Sequence, residues 1–238
     1  MTGMLASVCS AVEARIALHS YADVIDCKNP QEGALGALPP EGISRIVKAV
    51  AGGRLVSATT GDLVCGTRRL REAVAATADC GVDYVKFGLF DSATATSQLQ
   101  GLRGMTADHD LIAVCFADRY DPTTLLPGLA DAGIRGVMLD TADKQAGRLT
   151  ELWSVQRLAG FVSGARAQGL LCGLAGRLRL ADVAALLPLQ ADYLGFRSAL
   201  CAGDRRGHLD HAAVMQVREA IPFRHGTAAI DHPHLALH

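Results

Sequence analysis

"TRRLREAVAATADCGVDYVKFG", residues 67–88, decides how this chain is read. Its first fourteen residues form an Ala-rich amphipathic segment, the pattern of a helix with one buried face. Gly81 follows as a C-cap, because glycine takes the left-handed backbone without a Cβ penalty. Val82-Asp83 then opens a short run, VDYVKFG, with the alternation of a strand.

The unit recurs along the chain. Apolar runs lie at 4–9, 22–28, 54–60, 82–88, 110–116, 134–140, 169–174 and 192–197, often opening on Ala-Asp or Val-Asp. Helical segments lie at 11–19, 40–52, 67–80, 94–104, 122–132, 149–168, 179–187 and 208–220. Short strands alternating with helices argue a parallel sheet of βαβ units. Eight units in 238 residues argue a single-domain α/β fold, a closed (β/α)8 TIM barrel. No GxGxxG follows the first strand, which disfavours an open dinucleotide-binding sheet. The barrel is expected over 1–223. Residues 224–238 carry four of the eight histidines without helical or strand period, and read as a flexible tail rather than a metal-binding one.

Composition narrows the function. Half the residues are hydrophobic and 20% are charged, so a large core is expected. A net charge of −1 gives no electrostatic reason to expect nucleic acid or an anionic membrane as partner. The seven cysteines form no CxxC pair and read as reduced core residues, with no metal site. No apolar run reaches membrane-spanning length, so a soluble cytoplasmic protein is expected. Barrels of this type often form homo-oligomers, and no interface is legible in the sequence.

The lysines are the unusual residues. Of 23 basic residues only four are lysine: Lys28, Lys48, Lys86 and Lys144. Lys48 lies in a helical segment and reads as solvated. Lys28 and Lys86 close the second and fourth strands, and Lys144 follows Asp140, which closes the sixth. In a (β/α)8 barrel these positions map to the C-terminal face, where active sites sit. An amine nucleophile is something arginine does not supply. Strand alternation puts Asp26 and Lys28 on one face and Tyr84, Lys86 and Gly88 on another. If the apolar residues between them face the helices, Asp26, Lys28 and Lys86 point into the barrel mouth. Cationic neighbours there favour a neutral, nucleophilic amine, with Asp26 and Asp140 holding the remaining charge and moving protons. The plain alternative is that these are structural ion pairs at strand ends.

Two later loops suggest a phosphate cradle. "LLCGLAGRLRLADV" (170–183) supplies Gly173, Gly176 and Arg177. "GFRSALCAGDRRGHLD" (195–210) supplies Gly195, Arg197, Gly203, Arg205 and Arg206. Glycine-rich loops after strands 7 and 8 are the usual phosphate site of this fold, and arginine adds a bidentate contact. Asp62 and Asp118 follow strands 3 and 5 and could line the mouth or stand solvated in loops. Trp153 reads as helix packing.

"DVIDCKNPQEGALGA", "VDYVKFGLF", "GVMLDTADK", "GLAGRLRL" and "FRSALCAGDR" resemble the (5-formylfuran-3-yl)methyl phosphate synthase family of methanofuran and methylofuran biosynthesis. The resemblance covers about residues 4–220, and D-x-K-x-P-x-E-G-x-L-G-A is its most specific piece. It implies a (β/α)8 barrel that condenses two molecules of glyceraldehyde 3-phosphate into a furan aldehyde phosphate, releasing phosphate and water. It implies Lys28 as the Schiff-base lysine, Lys86 as proton acceptor, and Asp26, Asp140 and Lys144 as supporting charges, with no cofactor or metal. Arg177 departs from the pattern, where a small residue such as serine is expected after Gly176. Rival readings are another class I aldolase, a phosphosugar decarboxylase or epimerase, and a non-catalytic phosphometabolite-binding protein. Binding alone would be served by arginine, so the gathered lysines count against the last.

Overall fold

Each of the eight apolar runs forms a strand in the computed structural model: β1 (Gly3–Val8), β2 (Val24–Cys27), β3 (Leu55–Thr59), β4 (Tyr84–Leu89), β5 (Leu111–Phe116), β6 (Gly136–Asp140), β7 (Leu171–Leu174) and β8 (Tyr193–Phe196). The structure describes residues 1–63, 67–143, 145–203 and 206–222. All strand pairs are parallel, and β8 returns to β1 with Leu5 opposite Gly195, closing the (β/α)8 barrel. The 224–238 tail lies outside the described residues.

The Ala-Asp and Val-Asp openings have a structural cause at the bottom of the barrel. Asp23, just before β2, accepts a hydrogen bond from the Met4 N–H of β1 at 2.7 Å. Asp83, before β4, accepts from Val56 of β3 at 2.7 Å, and Asp192, before β8, from Cys172 of β7 at 2.8 Å. Each carboxylate satisfies a strand-start N–H that has no ladder partner.

Alternation sorts the strand residues into two apolar layers. Met4, Ala6, Val8, Ile25, Cys27, Val85 and Phe87 pack outward against the helices. Leu5, Val24, Val114, Phe116 and Met138 fill the barrel with Leu35, which reaches in from the loop after β2. The interior is divided. The first four strands also present Ser7, Asp26, Ser57 and Lys86, all buried, whereas β5 to β7 present mainly apolar side chains.

Helices α1 (Ala11–His19), α2 (Pro40–Val50), α3 (Thr67–Ala78), α4 (Ser92–Leu102) and α9 (His211–Ala220) follow the sequence expectation closely. Three segments differ. The 149–168 segment breaks into α6 (Leu149–Leu152) and α7 (Val155–Ala167), because Ser154 caps a new helix. At the break Trp153 turns inward and donates from Nε1 to the Ala117 carbonyl at 3.1 Å. The 122–132 segment begins as a 3-10 turn over Pro122–Leu125 before α5 (Leu126–Asp131). The 179–187 segment holds one α-helical turn, α8 (Val183–Leu186), between 3-10 turns. There Asp182 is held by Arg148 at 3.0 Å and by Thr150 at 2.9 Å. Among the described residues no helix is long and apolar enough to cross a membrane.

Candidate active site

The top of the barrel holds a pocket lined by Ser7, Asp26, Lys28, Lys86, Asp140, Thr141, Gly176, Arg177, Gly195 and Arg197, with Leu5 and Met138 below. Asp26 is fully buried at its centre. Lys86 Nζ donates to Asp26 Oδ1 at 2.9 Å, Ser57 Oγ donates to the same oxygen at 2.6 Å, and Ser7 Oγ donates to Oδ2 at 2.9 Å. The Lys86 side chain is only 4% exposed. A charge pair this deep tolerates removal from water only because both groups are hydrogen-bonded.

Lys28 stands higher. Its ammonium lies 3.5 Å from Asp140 Oδ2, and its side chain is 17% exposed. The other Asp140 oxygen accepts from the Thr141 N–H at 2.7 Å. One lysine is therefore sealed beneath the mouth and the other opens into it, each beside a different carboxylate. Lys144 and Arg205 lie outside the described residues.

The loops after β3 and β5 hold the mouth in shape. Asp62 accepts from the Ala34 and Leu35 N–H groups at 2.9 and 2.6 Å, pinning the loop after β2. Leu35 is thereby driven into the barrel, over Gly88, where an added Cβ would stand 2.9 Å from its Cδ1. Asp118 accepts from Ala142 and Asp143 at 2.8 and 2.7 Å, pinning the loop after β6. Both aspartates act as loop clasps beside the mouth, outside the pocket lining itself.

The glycines expected to bind phosphate divide. Gly176 (φ +100°) and Gly195 line the pocket, and a Cβ on Gly176 would meet Thr141 at 2.8 Å, so only glycine fits there. Arg177 follows in the left-handed region at φ +55° and also lines the pocket. Gly173 lies lower, its α-carbon turned toward Met138 in the barrel interior. Gly203 (φ +91°) sits in open space, apart from the pocket lining.

Arg197 reaches downward from the rim. It grips Glu13 of α1 with two bonds of 2.6 and 3.1 Å, and donates to the Ser7 and Gly207 carbonyls at 3.1 and 2.8 Å. That geometry makes Arg197 a brace beneath the rim as well as part of the pocket lining. Burial alone would raise the Glu13 carboxyl. The hydrogen bonds and charge of Arg197, with the Cys9 N–H at 2.8 Å, outweigh burial and hold it below its ordinary value. Glu13, Ser7 and Ser57 escape sequence reading. Glu13 looks like one more helix-surface acid, although the two serines share the inward face with Asp26, and that alternation is a usable signal.

Comparison with known proteins places this arrangement. The chain matches the family described as 4-HFC-P synthase over residues 4–218. It belongs to that family. A protein of Methylorubrum extorquens is 44% identical, covering 92% of this chain and 91% of its own length. The (5-formylfuran-3-yl)methyl phosphate synthase of Methanopyrus kandleri is 35% identical, over 92% of this chain and 98% of its own. That of Methanocaldococcus jannaschii is 34% identical, over 91% and 98%. Among solved structures, phosphoribosyl anthranilate isomerase from Thermus thermophilus superposes with a TM-score of 0.66 at 12% identity, over 92% of this chain and 98% of that one. A 3-hexulose-6-phosphate synthase superposes with a TM-score of 0.62 at 20% identity, over 92% and 100%. These two likenesses concern the barrel fold alone.

Proposed function

We propose that this member of the 4-HFC-P synthase family makes (5-formylfuran-3-yl)methyl phosphate, for methanofuran-type cofactors, from two molecules of glyceraldehyde 3-phosphate through an imine on Lys28. The activity follows from family membership and from the relatives that bear its name. The mechanism rests on one observation: two lysines of different exposure, each beside its own carboxylate, share one pocket.

The more exposed Lys28 is the amine that attacks the aldehyde, giving an imine and releasing water. Asp140 steadies the positive charge of the resulting iminium. Lys86 in its neutral form removes the proton from C2 of the bound triose, and the iminium accepts the electron pair. The pair then expels the C3 phosphate. Ring positions 3 and 5 carry the substituents of the product. The new carbon–carbon bond therefore joins C3 of the triose that loses phosphate, now the electrophilic end of an unsaturated iminium, to C2 of the triose that keeps it. That second triose gives up its C2 proton and attacks as the enediol, while the electron pair returns to the iminium nitrogen. Closure through one oxygen, loss of water and release from Lys28 give the furan aldehyde. The balance is one phosphate and two waters per furan, so this is a carbon–oxygen lyase reaction by class I aldolase-like chemistry, needing no redox cofactor or metal.

Gly176, Arg177 and Gly195 on the rim are the phosphate-binding candidates, with Arg197 bracing the strand end beneath them. The departure at Arg177 adds a cation beside the glycine backbone. Lys144, four residues after Asp140, is the supporting cation suggested by the resemblance. We assign the protein to the cytoplasm, a reading supported by Cys27, Cys115 and Cys172, which lie buried as thiols outside any disulfide. The test is direct turnover. Purified chain given glyceraldehyde 3-phosphate alone should release phosphate and furan aldehyde in equal amounts, and Lys28→Ala should yield neither. No furan from the parent chain would overturn the proposal.

A further inference from the structure

Asp26 sits between two serines in the sheet itself. Ser7 of β1 and Ser57 of β3 are its direct cross-strand partners, so the ladder fixes all three side chains on one level. A buried strand serine ordinarily finds a nearby backbone carbonyl. Thr59, one step up β3, does so, donating to the Gly36 carbonyl at 3.0 Å. Ser7 and Ser57 instead both donate to one carboxylate, at 2.9 and 2.6 Å.

We infer that Ser7 and Ser57 are positioning residues that hold Asp26 ionised while Lys86 is neutral, and so make Lys86 available as a base. The inference rests on the assignment of Lys86 proposed above. A base at Lys86 must start without its proton. At that moment the fully buried Asp26 carboxylate has lost its cation, and two hydroxyl donors are what remains to satisfy it. When Lys86 takes the C2 proton, the ion pair reforms. Without a serine hydroxyl, the carboxylate pulls harder on the ammonium, and Lys86 keeps its proton to higher pH.

The other titratable and charged groups around Lys86 stay constant across this comparison. They are Lys28 at the end of β2, Tyr84 on its own strand, Asp140 on β6, Arg177 after β7, and Tyr193 and Arg197 on and after β8. The interior residues of β5, Ile112 and Val114, carry no charge.

The experiment is the pH dependence of kcat for furan formation in the parent, Ser57→Ala, Ser7→Ala, and the conservative Ser57→Thr and Ser7→Thr. Both serines border cavity space, which gives the threonine methyl room. Each alanine variant should move the acid limb upward by about one pH unit, the effect of one hydrogen bond to a charged group. A threonine variant should return it to near the parent position, with thermal melts confirming a folded barrel in each case. Borohydride trapping at Lys28 is run alongside, above the acid limb. An alanine variant that loses rate while its limb coincides with the parent's overturns the inference, as does a threonine variant shifted as far as alanine. If the parent traps at Lys28 and the limb does not move, the serine role alone fails. If the parent does not trap, the imine reading fails and carries the serine role down with it.

Discussion

At the scale of single residues, the chemistry rests on the difference between two lysines. Lys86 is sealed against Asp26 and Lys28 opens toward solvent beside Asp140. Lys86→Met is expected to abolish furan formation while leaving the Lys28 amine able to form an imine. It also leaves the Asp26 carboxylate buried without a cation, which costs about 3–5 kcal/mol of stability by the measure of other broken buried pairs. Denaturant unfolding and adduct trapping on the same preparation check both halves. The lysines were legible because lysine is rare here. Lys28 follows the end of β2 as expected, whereas Lys86 stands inside β4 (Tyr84–Leu89), three residues short of its end, which is why it lies deeper. Ser7, Ser57 and Glu13 were not singled out, since a serine in an apolar run and a glutamate on a helix have many commoner uses. Only the pairing of β1 to β4 in chain order brings Ser7, Ser57 and Lys86 to the one carboxylate.

Among the elements, the loop after β2 does the most to shape the site. Asn29 closes it on Gly36 with a backbone bond of 2.8 Å, Asp62 clasps its Ala34 and Leu35 N–H groups, and Leu35 fills the barrel above Gly88. Leu35→Ala should lower stability by about 2–5 kcal/mol, the cost of a buried leucine truncation with its cavity. It should also raise KM for glyceraldehyde 3-phosphate, because the loop that follows Lys28 loses its anchor; a melt and a Michaelis curve test the pair of effects. The loop's place in the site was legible from "NPQEGALGA", but its plugging role was not. Helix boundaries were the weaker part of the reading. The 149–168 segment divides at Ser154, where a cap starts a new helix, and the 179–187 segment gives way at Leu187 to a 3-10 turn that carries Pro188.

For the whole molecule, all eight strands were readable because short apolar runs recur between helical segments, with an Asp just before β2, β4, β5 and β8. What the pattern does not contain is how the barrel closes. Glu13 and Arg197 brace that seam, tying α1 to the end of β8, with Leu209 N–H donating to the same carboxylate at 3.2 Å. The Glu13 carboxyl is held below its ordinary 4.5 in the fold. Its stabilisation is therefore complete above that value and is lost as pH falls through the lower folded one. Glu13→Gln should be less stable at neutral pH and show a flatter loss of stability below about pH 4.5, as followed by denaturant midpoints across pH. The central claim, a furan-forming barrel working through an imine, is tested most directly by borohydride reduction during turnover. With glyceraldehyde 3-phosphate present, peptide mass analysis should find a triose-derived adduct on Lys28, and none in Lys28→Arg, which keeps the charge but not the amine. An unmodified Lys28 in an enzyme that is forming furan would contradict the account.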